Sequence, residues 1–468
     1  MPNDTSITFY GACGTVTGSR FIVDQGPENL MVDAGLFQGE REVRQMNWDR
    51  FPINPDMINN IALTHAHIDH SGYVPRLVRN GFNGKVHVTR ATGDLLQILL
   101  PDAAMIQEED AAYYNRKKLS RHANAMPLYT SLDAKRALAK LIDHKPNEEF
   151  QPSPLFNLRF VSIGHILGAS MIFVEAGQGK EKQRILFSGD IGRYGVPILR
   201  DPVPPPETDT LIIESTYGDR LHPPSPPPRE ALAEVINRVY QNKGCLLIPA
   251  FAVGRTQEIL YHLRVLEIES KIPSMPIFLD SPMAIKATKL YWSHTEYFDA
   301  ELIEHISEDE DFLSPRNLQM TRSPAESRNL NSRKGPMIII SASGMLSGGR
   351  IRHHLFHRLP NPDTELLFVG YQAKGTRGRE LQEHPGTVSI FKQDVTVRAR
   401  VSTIDSFSAH ADYEELLRWV TQIPKPPKRI FVVHGEENVR PVFAEKLKKA
   451  FPDSEVLIPQ TGDSFILD

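Results

Sequence analysis

The stretch HAHIDH, residues 65–70, sets three histidines and an aspartate into six consecutive positions, directly after the apolar run NIAL. Neutral imidazole nitrogen and carboxylate oxygen are the usual ligands of catalytic zinc, and two zinc ions about 3.5–4 Å apart can clamp both oxygens of a displacement at phosphorus. His65 and His67, two residues apart, can converge on one ion, while the adjacent pair Asp69 and His70 can reach a second. A binuclear site needs more ligands than one loop supplies, and other candidates follow apolar runs elsewhere. They are His165 in SIGHILGAS, Asp190 in ILFSGDIGR, His410 in SFSAHADY and His434 in FVVHGEEN. The two carboxylate oxygens of Asp190 suit a bridging role. A single histidine at a strand end is more often structural, but six of the 17 histidines lie in such settings, and together they point to a metal centre.

These residues need elements that hold them together. From the N-terminus to HAHIDH the chain alternates strand-like runs (SITFYG, RFIVDQ, NLMVDAG, NIALTH) with glycine turns. SGYVPRLVRNG then has helical spacing, with a helix starting at Ser71-Gly72 and turning its positive dipole end toward an arriving anion. A charged helical stretch is expected over 91–145, followed by the short apolar strands NLRFVSIGH, SMIFVEAG, RILFSGD and TLIIES. Strands, helices, then strands again predict layered sheets covered by helices. Two proline-rich pieces, 201–209 and 222–230, read as extended linkers. Beyond them GCLLIPAF, MPIFLD, PMIIISAS and ELLFVGYQ each precede a helical or glycine-rich segment, which predicts a doubly wound parallel unit. From ARVSTIDSFSAHAD to the C-terminus the pattern changes again.

A chain of 468 residues is long enough for two domains. Its two cysteines, Cys13 and Cys245, sit in apolar or glycine-rich surroundings and fit a reducing, cytoplasmic setting. No window approaches the roughly 18–20 apolar residues that span a bilayer, so no membrane partner is expected. A formal net charge of -4 excludes binding nucleic acid through bulk positive charge and leaves only local patches: 113–122, 370–379 and the lysine clusters near the C-terminus.

HAHIDH, with His165 and Asp190 downstream, resembles the metallo-β-lactamase signature HxHxDH and its later single ligands. The resemblance is closest to the nucleic-acid branch, the beta-CASP nucleases. There the last ligand is replaced by three later elements, matched by Glu214 in LIIEST, His410 in SAHAD and His434 in VVHGE. GACGTVTGS, PAFAVGRTQE, LDSPMA, SASGMLSGGR and GYQAKGTRGREL extend the likeness over nearly the whole chain, most like the endonuclease subunit of the cleavage and polyadenylation factor and its bacterial and archaeal relatives. The resemblance implies an α/β fold: a four-layered αβ/βα core from 1–215 and 403–468, with an inserted parallel-sheet beta-CASP domain over 216–402. It implies two zinc ions per chain, one held by His65, His67 and His165 and the other by Asp69, His70 and His434, with Asp190 bridging. Asp33 in LMVDAGL would orient ligands without binding metal. Zinc lowers the pKa of bound water to about 7, so hydrolysis of a phosphodiester at neutral pH is implied. His410, held by Glu214, would protonate the leaving 3′ oxygen or hold the phosphate.

The implied activity is a zinc-dependent ribonuclease cutting single-stranded RNA internally, with trimming from an end and a homodimer both left open. SASGMLSGGR, with Ser343 and Gly344, is either a phosphate cradle or a turn required by chain geometry. Arg255, Lys374 and Arg377 are candidates for RNA backbone contact or are ordinary surface charge. Among rival readings, a thioester or lactam hydrolase does not account for the inserted domain or for Glu214, His410 and His434. A DNA nuclease of the same branch usually has valine where this chain has His434. An inactive scaffold loses metal ligands, and here every ligand position is filled.

Overall fold

The computed structural model describes residues 4–117, 124–179, 182–222, 227–306, 311–346, 348–370, 372, 375–383 and 386–467. The chain forms two compact units, one from residues 1–195, 201–221 and 410–468, the other from 196–200 and 222–409.

The first unit holds two seven-stranded sheets. One runs Ser464–Leu467, Thr5–Phe9, Arg20–Gln25, Glu28–Ala34, Asn60–Ala62, Lys85–Thr89 and Leu141–His144. The other runs Glu455–Leu457, Arg429–Val433, Thr210–Glu214, Gln183–Phe187, Ser170–Ala176, Phe156–Ser162 and Glu149–Ser153. Alternate residues of these strands are apolar, and one face of each sheet supplies a common core that includes Ile7, Phe9, Val23 and Val32 from the first and Phe160, Ile172, Phe187 and Phe431 from the second. Phe9 and Phe431 meet across it with ring centroids 4.9 Å apart. Helix Arg90–Arg116 packs beside strand Lys85–Thr89, and helix Val439–Ala450 packs on Arg429–Val433. Helices outside two sheets that share one core are the expected four αβ/βα layers.

Strand direction brings the chemistry to one edge of each sheet. Glu28–Ala34 and Asn60–Ala62 are parallel, so Asp33 and the residues after Ala62 leave the first sheet at the same edge. In the second sheet Gln183–Phe187, Thr210–Glu214 and Arg429–Val433 are mutually parallel. Phe156–Ser162 shares their direction through two successive antiparallel pairings. The segments carrying His165, Asp190, Glu214 and His434 therefore all leave that sheet at C-terminal strand ends, where open α/β sheets place their ligands.

Two local expectations are revised. The helix foreseen at Ser71-Gly72 begins earlier, as one turn over Ile68–Ser71, followed by Val74–Arg79. Tertiary packing sets this start, since Leu36 N–H bonds the Ile68 carbonyl and Ser19 N–H bonds the Asp69 carbonyl. The stretch 91–145 is not one helical region. It comprises Arg90–Arg116, Ser131–Leu138 and strand Leu141–His144, the second helix started by a Thr130/Asp133 capping box.

The second unit is built on an all-parallel sheet in the order Leu318–Met320, Ile277–Leu279, Met337–Ser341, Cys245–Pro249, Thr364–Phe368 and Arg400–Thr403. Its central strands are apolar on both faces. Leu246, Ile248, Ile338 and Ile340 pack into one core, while Cys245, Leu247, Met337 and Ile339 pack into another. This is the doubly wound pattern expected. Among the described residues no helix is long and apolar enough to cross a membrane.

Candidate metal centre

Nine of the residues singled out by sequence, together with Asp33, gather in the first unit. His65 Nε2 lies 3.1 Å from His67 Nδ1, and His165 Nε2 lies 3.3 Å from that same nitrogen. Asp190 Oδ2 is 3.5 Å from both His65 Nε2 and His165 Nε2. On the other side His70 Nε2 is 3.2 Å from His434 Nε2 and 3.9 Å from Asp69 Oδ2, and His434 Nε2 is 3.7 Å from Asp69 Oδ2. Asp190 Oδ1 stands 3.2 Å from His70 Nε2, so one carboxylate faces both donor sets. His67 and Asp69 are half-buried, and His65, His70, His165, Asp190 and His434 are buried.

The donors are aimed by neighbours, of which the sequence pointed to Asp33 but not to Thr64. The buried Asp33 carboxylate accepts the Thr64 amide at 2.8 Å and the Thr64 hydroxyl at 2.9 Å, and its Oδ2 lies 2.8 Å from His70 Nδ1. A carboxylate only accepts, so the neutral form of His70, the form that can hold a metal, carries its hydrogen on Nδ1 and turns the Nε2 lone pair toward His434 and Asp190. Thr64 Oγ1 lies 3.0 Å from His65 Nδ1. Asp33 and His434 both have left-handed backbone, with φ of 57° and 48°. Few non-glycine residues adopt this conformation, and when they do the surroundings impose it. For His434 the surroundings are the bond from its N–H to the Ala12 carbonyl and the bond from Ser215 N–H to its own carbonyl.

His410 opens the last segment of the first unit, just ahead of helix Tyr413–Val420. Asp412 caps that helix by accepting the Glu414 and Glu415 amides, and the Ala411 N–H bonds the Ile191 carbonyl, so the backbone that carries His410 is held in place. Its Nδ1 lies 3.2 Å from Glu214 Oε2, and its Nε2 lies 3.9 Å from Asp190 Oδ2. Glu214 also accepts the Ile191 amide and the Thr216 hydroxyl. Its own N–H bonds Ser188 Oγ at 3.1 Å.

The charges reflect this crowding. Burial pushes His65 well below the usual histidine range, and the neighbouring His70 adds to that. Burial also works against a charged His70 and His410, but nearby carboxylates outweigh it: Asp190 and Asp33 hold His70 well above the ordinary value, and Glu214 and Asp190 raise His410 to about 9. Burial disfavours the charged Asp69, yet its bond to His434 brings it down to about 2.

The donor set fits metal ions. Ligand atoms about 2.0–2.1 Å from zinc at tetrahedral angles lie roughly 3.3 Å apart, close to the 3.1–3.5 Å among His65, His67, His165 and Asp190. Among the described residues, buried Asp190 Oδ1 finds no hydrogen-bond donor, and a cation would satisfy it. These four residues form one cluster able to hold an ion, and Asp69, His70 and His434 form another.

The remaining candidates belong to the second unit. Ser343 and Gly344 lie between strand Met337–Ser341 and helix Ile351–Arg358, and the Gly344 carbonyl accepts a hydrogen bond from Gln372 Nε2 at 3.1 Å. Arg255 is 8 % exposed, paired with Glu258 and set over the Phe407 ring at 5.6 Å, which makes it interior to this unit rather than free surface charge. Arg377 opens helix Arg377–Gln382, half-buried. Lys374 lies outside the described residues.

Three known families match successive parts of the chain. Residues 14–239 match the metallo-beta-lactamase superfamily, 256–381 the Beta-Casp domain, and 394–459 the Zn-dependent metallo-hydrolase RNA specificity domain. The chain is 37% identical over 429 residues to Ribonuclease TTHA0252 of Thermus thermophilus, covering 92% of this chain and 93% of the relative. It is 31% identical to an RNase J-like protein of Methanocaldococcus jannaschii, covering 95% of each, and 29% identical to the transcription termination factor FttA of the same organism, covering 98% of this chain and 71% of that one. A crystal structure of a protein of unknown function from Enterococcus faecalis aligns over 99% of this chain and 100% of its own, with a TM-score of 0.54 and 13% identity, a likeness of fold alone. With three family regions matched in order along one chain, and relatives 37% and 31% identical over nearly their full length, the protein belongs to the beta-CASP branch of the metallo-β-lactamase superfamily.

Proposed function

We propose that the protein is a zinc-dependent ribonuclease that hydrolyses phosphodiester bonds in single-stranded RNA, cutting it internally. The observation that carries this reading is one carboxylate, Asp190, facing two imidazole-rich donor sets beside a carboxylate-held histidine, His410. His65, His67 and His165 would hold one ion and Asp69, His70 and His434 the other, with Asp190 between them. When bound, two zinc ions supply Lewis-acid chemistry, drawing charge from the phosphodiester and making water acidic enough to act at neutral pH.

The chain's own residues do the rest. Asp33 keeps the His70 hydrogen on Nδ1, and Glu214 does the same for His410, so that His410 Nε2 faces the Asp190 side of the site. Water oxygen bonds to phosphorus and releases a proton to solvent, the bond from phosphorus to the 3′ oxygen breaks, and His410 gives its Nε2 proton to that oxygen and regains one from solvent. The products are a 5′-phosphate and a 3′-hydroxyl. The ribonuclease names of the relatives support RNA as the polymer, and the two free cysteines agree with work in the cytoplasm.

The test incubates the zinc-quantified protein with matched 5′-labelled single-stranded RNA and DNA, beside an Asp69→Ala/His70→Ala double variant and His410→Ala. RNA fragments ending in 3′-hydroxyl, absent with the double variant, are expected. His410→Ala should keep its zinc and lose most turnover. Cleavage of DNA alone, or two bound zincs with neither polymer cut, would overturn the proposal.

A further inference from the structure

Thr216, two residues beyond the end of strand Thr210–Glu214, touches two of the functional residues. Its Oγ1 lies 2.5 Å from Glu214 Oε2 and 3.1 Å from His434 Nδ1. A hydroxyl has one hydrogen and two lone pairs, whereas an ionised carboxylate can only accept. The hydrogen therefore goes to Glu214, the shortest contact Thr216 makes, rather than to the His434 carbonyl at 3.4 Å. What Thr216 then presents to His434 Nδ1 is a lone pair, and the contact is a hydrogen bond only if that nitrogen carries the hydrogen. His434 Nε2 is left with a lone pair 3.2 Å from His70 Nε2, whose own lone pair is turned toward it by Asp33. Two lone pairs facing each other at that distance repel unless a proton or a metal cation lies between them.

We infer that Thr216 is a positioning residue that fixes the tautomer of His434 and ties it, through Glu214, to His410. The inference rests on the reading of His434 as a metal ligand. One carboxylate thereby orients two histidines with different tasks. It takes the His410 Nδ1 hydrogen directly and the Thr216 hydrogen on the way to His434, while its other oxygen is occupied by the Ile191 amide. Backbone bonds hold the relay in place: Ser215 N–H to the His434 carbonyl at 3.1 Å and Ser215 Oγ to the Val433 carbonyl at 2.9 Å. Groups that orient a ligand from behind are typically worth 10–100-fold in metal affinity.

The experiment measures zinc affinity and stoichiometry by chelator competition for the full chain and for Thr216→Val, Thr216→Ser and His434→Ala. Thr216→Val keeps the shape and removes the hydroxyl, so one of the two zincs should bind about 10–100-fold more weakly. Thr216→Ser restores the hydroxyl and should bind both ions as the parent does, a rescue that a purely packing role for the methyl group would not give. Thr216→Ala serves as a second variant, expected to match Thr216→Val, if the valine protein is poorly folded. Parental affinity for both zincs in Thr216→Val and Thr216→Ala, with His434→Ala losing one ion, would overturn the relay. If His434→Ala itself keeps both zincs at parental affinity, the ligand reading falls and the relay with it.

Discussion

Gly35 is the position where a single methyl group should disable the centre without unfolding the protein. It follows strand Glu28–Ala34 and crosses the backbone of the HAHIDH loop, where a Cβ would stand 1.6 Å from the Asp69 carbonyl oxygen, 2.3 Å from its carbon and 2.9 Å from the His70 nitrogen. Real Cβ atoms essentially never come closer than 3.0 Å, so that carbonyl would have to retreat by well over an ångström. The obstacle is backbone and cannot rotate away. Overpacking of this kind costs about 1–3 kcal/mol, within the roughly 5–15 kcal/mol of an ordinary domain, so Gly35→Ala should fold. The displaced segment carries Asp69 and His70, and a displacement of about 1 Å in reacting groups costs on the order of 100-fold in rate. Turnover on labelled RNA should fall at least that far and zinc should be held more weakly, with an unchanged far-ultraviolet circular dichroism spectrum. Gly35→Ala protein that binds zinc and cuts RNA as the parent does would refute the steric argument.

Other perturbations test separate parts of the molecule. Asp33→Asn keeps the shape but can turn an amide N–H toward His70 Nδ1, forcing the other tautomer; zinc affinity should drop about 10–100-fold by chelator competition while the melting temperature moves little. In the second unit, the fully buried Asp280 accepts from Ser327 and Arg350 and meets His354 Nε2 at 2.6 Å. Asp280→Ala strands those partners and should cost about 3 kcal/mol in denaturant unfolding; a smaller loss in that unit's transition would show that water replaces the carboxylate. His87 has its pKa lowered to about 4, by burial first and by His144 and Lys85 next. The folded chain therefore keeps His87 neutral down to about pH 4, while an unfolded histidine takes a proton near 6.5. Between these values the unfolded state binds more protons, so stability rises with pH across that window. In His87→Asn, denaturant titrations at a series of pH values should give a shallower rise, and an identical slope would count against the assignment.

The side chains that gather in the centre were legible in the sequence because metal chemistry is restricted to few residue types, and because each follows an apolar strand whose pattern of alternation is visible, as His165 and His434 do. The doubly wound second unit was legible for the same reason, since its central strands are apolar on both faces. Of the groups that orient these side chains, Asp33 was legible and the others were not. Thr64, Ser188 and Thr216 are common residue types whose roles depend on which strand lies alongside, and nothing within a few residues of them records that. The early helix start at Ile68 was hidden likewise, because it depends on bonds from Ser19 and Leu36. Arg255 misled in the opposite sense: charge suggested the surface, and its pairing with Glu258 keeps it inside.

Strand Arg429–Val433 lies beside Thr210–Glu214, so the centre joins residues made far apart in time. A growing chain that has just passed Glu214 already possesses His65, His67, Asp69, His70, His165 and Asp190, but it has neither His410 nor His434. Ribosomes add about 5–20 residues per second, so the roughly 220 residues separating Glu214 from His434 take on the order of 10–40 s to appear. During that interval the chain is itself tethered to an RNA, the message being read. The order of the chain thus separates in time the making of the first donor set, His65, His67, His165 and Asp190, from the completion of the second by His434.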